Sequence, residues 1–185
     1  MSAPTVPRLR ADAQRNRDRL VEIARAAFAA GDAPTLDAIA RAAGVGIGTL
    51  YRHFPTRETL VEAVYRSELE AVTASADRLL AAAPPDVALR RWMGRYTDFV
   101  RAKRGMADAF RAIVAGPTGD ARPRITAAVA TMLDAGVRAG VLRADVAPED
   151  VVVALLGAVL ATPEPDQRPQ TARVLDLLVD GLRPR

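Results

Sequence analysis

Cysteine is absent from the 185-residue chain, so it has no disulfide, no thiolate nucleophile and no cysteine-bound zinc. Histidine occurs once, at His53, which excludes a multi-histidine metal cluster and obliges any serine–histidine pair to use that residue. Lysine is reduced to Lys103 beside 25 arginines and 38 alanines, a mark of GC-rich coding more than of function. Long apolar runs are missing as well. The longest, Val151 to Ala161, has 11 residues, against roughly 20 for a helix that crosses a bilayer. The N-terminal MSAPTVPRLRADAQRNR has no apolar stretch behind its basic residues and does not read as a secretory signal, so a cytoplasmic protein with no membrane partner is expected. Half the residues are hydrophobic and 26% are charged, which is the balance of a folded globular chain and not of a disordered one.

The charge that is present is unevenly placed. Residues 1–57 hold nine arginines against five acids, an excess of four, whereas residues 58–185 hold 17 basic and 17 acidic side chains. A basic head on a neutral body suggests that the head meets a polyanion. The plainer alternative is a set of solvated arginines on an ordinary surface.

The apolar spacing is helical throughout. Residues 1–10, with Pro4, Pro7, Arg8 and Arg10, read as a flexible basic arm. A first helix is expected from about Ala11 to Ala30, with Leu20, Ile23, Ala24, Ala27 and Phe28 on one face and Gly31 as its stop. Thr35 offers a hydroxyl cap to a short second helix, LDAIARAA, which Gly44 ends. A third short helix covers about Ile47 to His53, and Pro55 forbids its continuation. Thr56 caps a fourth that is expected to run unbroken to about Ala83, where Pro84–Pro85 stops it. Further helices are expected at about 86–103, 106–115, 123–139, 148–161 and 168–182. No stretch shows sustained period-two alternation. The expected fold is all-α with about nine helices: a helix-turn-helix domain over 11–57 and a helical regulatory body over 58–185.

Residues 35–57, TLDAIARAAGVGIGTLYRHFPTR, carry the most information. Two short helices joined by a glycine turn make a helix-turn-helix. Ala40 is small where the helices approach, Gly44 suits a backbone that a β-carbon disfavours, and Val45 with Leu50 supplies an apolar wedge. Tyr51 and Phe54 are spaced to pack back onto helices one and four. Around the start and outer face of the third helix stand Ile47, Gly48, Thr49, Arg52 and His53, mostly small, polar or basic. Small residues admit base edges, while Thr, Arg and His can bond phosphates or bases. Double-stranded DNA is the expected partner.

The segment from RNRDRLVEIARAAFAAG through TLDAIARAAGVGIGTLYRHFPTRETLVEA resembles the TetR family of bacterial transcriptional repressors, over about residues 11–60. The resemblance implies a three-helix DNA head, a linking fourth helix and a helical body. It implies that Thr35 bonds a phosphate, that Thr49 and Tyr51 meet base edges or backbone, and that His53 and Arg57 hold phosphates. Two departures stand out. Gly46 occupies a position where a Ser or Thr commonly caps helix three, and arginine replaces lysine at 57, which keeps the charge but alters the donor geometry. Tyr51 also reads as a core residue whose hydroxyl reaches the surface, and His53 as a residue favoured at a helix C-terminus by the dipole. Arg8 and Arg10 read either as an idle arm or as one that gains from counterion release beside a duplex.

So small a head reads few base pairs, so a homodimer on a palindromic operator is expected. The candidate interface is the last helix pair, with Val152, Leu155, Leu156, Val159, Val174, Leu175 and Leu178. VVVALLGAVLA is apolar nearly all round and must bury every side, against a second chain or within its own core. The family resemblance places dimerisation here and implies an inducer pocket in the body. Trp92, Tyr96, Phe99, Phe110 and Met132 are the candidate lining for a small apolar or amphipathic effector, with Trp92 and Tyr96 as donors. Such a stripe at helical spacing also serves as plain core. No cofactor, metal or catalytic residue is expected: Glu62, Glu68, Asp98, Asp108 and Tyr96 are the groups an enzyme would use, but no spacing fixes them. The remaining alternative is the same head on an activator or architectural factor without an effector.

Overall fold

The structure, a computed structural model, describes residues 6–29, 34–104 and 121–184, with side chains over 11–28, 34–101 and 121–184. The expected stop at Gly31, the expected helix over 106–115 and the side chain of Phe110 lie outside them. All regular structure among the described residues is helical. They divide into two compact units between Ser67 and Glu68.

In the first unit α1 spans Val6–Ala29. It begins well before Ala11, so residues 6–10, read from the sequence as part of a loose arm, continue the helix. Pro7 is no obstacle there, because the N–H that it lacks has no intrahelical partner in a first turn. The short α2 (Leu36–Ala42) is capped by the Thr35 hydroxyl, which accepts from the Ala38 N–H at 3.2 Å. Gly44 turns the chain at φ +70°, and α3 follows at Ile47–His53. The chain re-enters helix at α4 (Arg57–Thr73), where Thr56 and Thr59 cap each other reciprocally between backbone N–H and hydroxyl at 3.2 and 3.3 Å. Leu20, Val21, Ala24, Ile39, Ala40, Leu50, Phe54, Leu60 and Val64 close over one another, with Ile23, Phe28, Leu36 and Val45 packed at their edge.

The second unit is built round α6 (Pro85–Arg104), which packs against α5 (Ser75–Ala82), α7 (Ala121–Arg138), α8 (Pro148–Ala161) and α9 (Arg168–Gly181). Leu89, Trp92, Met93, Val129, Met132 and Leu155 are fully buried. Arg101 ties α6 to the α8–α9 connection through Nη2, which donates to the Thr162 carbonyl at 3.1 Å and the Thr171 hydroxyl at 2.6 Å. Gly136 is demanded by close approach, since a β-carbon there would lie 2.3 Å from Cδ1 and 2.9 Å from Cβ of Leu142.

The helix expected to run unbroken from Thr56 to Ala83 is interrupted at Ala74. Two side chains occupy the Val72 carbonyl, which would otherwise continue the ladder, while the Glu70 carbonyl still accepts from the Ala74 N–H at 2.9 Å. The Ser75 hydroxyl donates to the Val72 carbonyl at 2.7 Å, and the Trp92 indole N–H donates to the same oxygen at 3.0 Å. The Thr73 hydroxyl donates to Leu69 and Glu70. Hydroxyls that bond backward along the ladder compete with the helical N–H groups, which residue propensity alone does not reveal.

Replacement Gly136→Ala is expected to destabilise the chain by about 1–3 kcal/mol through overpacking against Leu142. Urea unfolding checks it: the midpoint should fall with the slope unchanged.

Candidate nucleic-acid interface

The outward side of α3 starts from what the helix buries. Of its seven residues only Leu50 is buried, so the neighbouring positions are turned away from the core. Tyr51, one residue on and therefore about 100° round the helix, is 49% exposed. The expectation that Tyr51 packs back onto helices one and four is therefore corrected, whereas Phe54 does pack inward. Ile47, Gly48 and Arg52 are also exposed, and Thr49 and His53 are half-buried at the edges. Gly48 has nothing within 4 Å of where a β-carbon would stand, so its bare backbone faces open space. Gly46 is the N-cap of α3 and supplies no side-chain bond, as the missing hydroxyl implies.

Around α3 the polar groups differ in how far they are already engaged. Thr35 is exposed; its hydroxyl oxygen accepts from Ala38, and its hydroxyl proton stays available to an acceptor. No ion pair among the described residues involves Arg52, while Arg41 on α2 is paired with Asp37. Arg57 is less free than the resemblance implied. Its Nη1 donates to the Pro34 carbonyl at 2.7 Å, and its guanidinium lies over the Phe28 ring, 5.5 Å from the centroid. At the other end of the corner, the Arg17 guanidinium lies 5.3 Å from the Phe54 ring centroid. Sequence reasoning missed both clamps, since the pairing of an arginine with a distant ring has no local signature. Beside Arg57, the Glu58 carboxyl is held below the usual carboxylate range. Its own backbone N–H does most of this, helped by the Thr56 hydroxyl and the Arg57 charge. An acid there also suits the positive end of α4. Arg8 and Arg10 fall on α1, but their side chains lie outside the described residues.

In the second unit the aromatic residues stand together as their spacing suggested. Trp92 and Tyr96 stack at 5.7 Å and 14°, and Phe99 follows Tyr96 at 6.2 Å and 46°. All three, with Met132, are buried. The indole N–H expected to orient a ligand is instead committed to the Val72 carbonyl. Of the residues read as a dimer surface, Val152, Leu155, Val159 and Leu175 are buried within the subunit; Val174 and Leu178 are half-buried, and Leu156 is exposed. Val153, Leu160 and Leu177 were missed, and they are 56%, 51% and 70% exposed. A helix that is apolar on every side gives no sequence signal for which side the subunit keeps.

Among the described residues no helix is long and apolar enough to cross a membrane, and no three His, Asp or Glu side chains gather as a metal site. Residues 20–64 match the family described as bacterial regulatory proteins, tetR family, and residues 84–184 match the transcriptional regulator SbtR-like, C-terminal domain. The chain is 48% identical to a TetR transcriptional regulator from Streptomyces coelicolor, with a TM-score of 0.81 over 91% of this chain and 98% of that one. It is 38% identical to a TetR transcription regulatory protein from Mycobacterium vanbaalenii, with a TM-score of 0.75 over 95% and 99%. A transcriptional regulator from Cytophaga hutchinsonii, 17% identical over 89% and 97%, shares the fold at a TM-score of 0.70. No curated protein matches the chain. With a reading helix that keeps its polar side outward, and with both units matched, the chain belongs to the TetR family and is a DNA-binding transcriptional regulator.

Proposed function

We propose that the protein is a homodimeric cytoplasmic repressor whose two heads read a palindromic operator and release it when a small apolar or amphipathic effector enters the second unit. The observation that carries the reading is the outward side of α3, where Ile47, Gly48, Tyr51 and Arg52 are all exposed in a head with four excess positive charges. In a major groove, Ile47, Gly48, Thr49, Tyr51 and Arg52 meet base edges, while Thr35 and His53 hold phosphates on either side. Arg8 and Arg10, near the start of α1, add to the charge that displaces counterions.

A second copy of the chain is proposed to cover Val153, Leu156 and Leu160 on α8 together with Leu177 on α9. These are large apolar side chains, exposed at three- and four-residue spacing on α8, and water is a poor neighbour for them. Val174 and Leu178 flank Leu177 at the edge of the same surface. The effector is proposed to part the Trp92–Tyr96–Phe99 stack near Met132. Moving Trp92 would disturb the Val72 carbonyl, and with it the end of α4, a helix that begins in the DNA-binding unit. That movement would change the separation of two heads that must fit grooves about 34 Å or a further turn apart.

Selection of bound duplexes from a random pool is expected to return a palindrome whose half-sites are separated by whole helical turns; enrichment of single half-sites only would remove the dimer from the reading. Leu177→Asp is expected to convert dimer to monomer in sedimentation at micromolar concentration, and to weaken operator binding by at least tenfold. An unchanged sedimentation coefficient would rule out that surface. Under a screen of small apolar compounds, a true effector raises the melting temperature in proportion to the logarithm of its concentration above its Kd. It also quenches or shifts the emission of Trp92, the single tryptophan of the chain.

A further inference from the structure

We propose that Arg57 is a positioning residue for the reading helix and not a phosphate contact. It is the first residue of α4 and is half-buried. Its guanidinium is held twice by its own head: through the hydrogen bond from Nη1 to the Pro34 carbonyl at 2.7 Å, and through the contact with the Phe28 ring at 5.5 Å. Pro34 immediately precedes Thr35, the cap of α2, so the hydrogen bond fixes how the chain enters the helix-turn-helix. The ring contact holds the start of α4 against the far end of α1.

A reciprocal clamp lies across the same corner. Arg17 on α1 covers Phe54, the residue that closes α3. So α1 gives a ring to one clamp and a cation to the other, and between them run Phe54, Pro55, Thr56 and Arg57, the link from α3 to α4. Two guanidinium–ring contacts and a hydrogen bond add a directional restraint that a buried apolar wedge, being non-directional, does not supply. Lysine at 57 would not reproduce this, because a single ammonium on a flexible stem lacks the spread of donors that lets one guanidinium nitrogen reach the Pro34 carbonyl while the group stands over the ring. The arginine that departs from the family's usual lysine thus has a use inside the head. What it sets is the angle at which α3 is presented.

The test compares Arg57→Ala, Arg57→Lys and Phe28→Leu on two fluorescent duplexes, one selected from a random pool by the wild-type chain and one scrambled. If Arg57 positions α3, Arg57→Ala cuts the ratio of selected to scrambled affinity about tenfold, the scale of one charged hydrogen bond, and Phe28→Leu about threefold, the scale of a part-exposed cation–ring contact. The slope of log K against log salt stays as in wild type for Phe28→Leu, lysine fails to restore the ratio, and the double variant Phe28→Leu/Arg57→Ala is no worse than the poorer single. A phosphate-binding role gives the opposite pattern and overturns the proposal. Arg57→Ala then weakens both duplexes alike, and its slope becomes shallower by about one for the phosphate it no longer neutralises; lysine restores binding and Phe28→Leu is silent. Should Arg57→Ala fail to fold by circular dichroism, Phe28→Leu alone decides, since it leaves the arginine in place. If the wild-type chain selects no duplex, the proposal falls together with the specific reading it serves.

Discussion

Leu50 is wholly withdrawn from solvent, and α3 has no other buried residue. A seven-residue helix is too short to hold itself in water, so its existence rests first on that one side chain seated among Leu20, Ala24, Ile39, Leu60 and Val64, with Phe54 buried at its C-terminal end. The outward direction of Tyr51 and Arg52 is a by-product of where Leu50 points inward. Gly44, at φ +70°, makes the geometry possible by letting the chain turn sharply enough for α2 and α3 to share one apolar wedge. Apolar burial sets the frame of the head, and the Arg17 and Arg57 contacts at its corner act on that frame.

Arginines in this chain do several different jobs, and the electrostatic excess of the head hides that variety. Some lie in surface pairs, such as Arg25 with Glu22 and Arg41 with Asp37, and add little to stability. Arg90 reaches Asp176 at 2.5 Å and the Ala172 carbonyl at 3.1 Å, fastening α6 to α9. Arg101 meets carbonyl and hydroxyl oxygens at the α8–α9 connection. Arg17 and Arg57 lie on rings, and Arg52 projects from the reading helix. Counting them gives net charge; only the packing tells which are available to a polyanion.

How much can be read from the sequence follows from the range of each signal. Helices announced by local chemistry are legible: Thr35 capping α2, Gly44 turning the chain, and Pro55 and Pro84–Pro85 ending what precedes them. The resemblance between 11 and 60 covers the head, and the stripe of Trp92, Tyr96 and Phe99 indeed lies on one face. What escapes is decided at long range. At the break near Ala74 the Val72 carbonyl is shared by the local Ser75 hydroxyl and by Trp92, far along the chain on α6, and that second partner has no local signature. On α8, Val152 and Val153 have the same chemistry, yet one is buried and its neighbour is 56% exposed. The start of α1 escapes for a simpler reason: Pro7 looks like a breaker but stands where proline is tolerated.

The vacant surroundings of Gly48 have a consequence of another sort. No atom beyond its chain neighbours and its own helix backbone approaches within 4 Å of its missing β-carbon, and glycine costs a helix up to about 1 kcal/mol relative to alanine. The protein therefore keeps a weaker first turn of α3 without a packing reason in the head, at a position that the proposed function sets beside base edges. Ile47, Gly48, Tyr51 and Arg52 are exposed and none belongs to the buried cluster of the head, so on the proposed reading the residues that meet bases can change while the architecture stands. On the proposed reading, a lineage built on this head acquires new operators by changing a few side chains that lie outside its buried cluster.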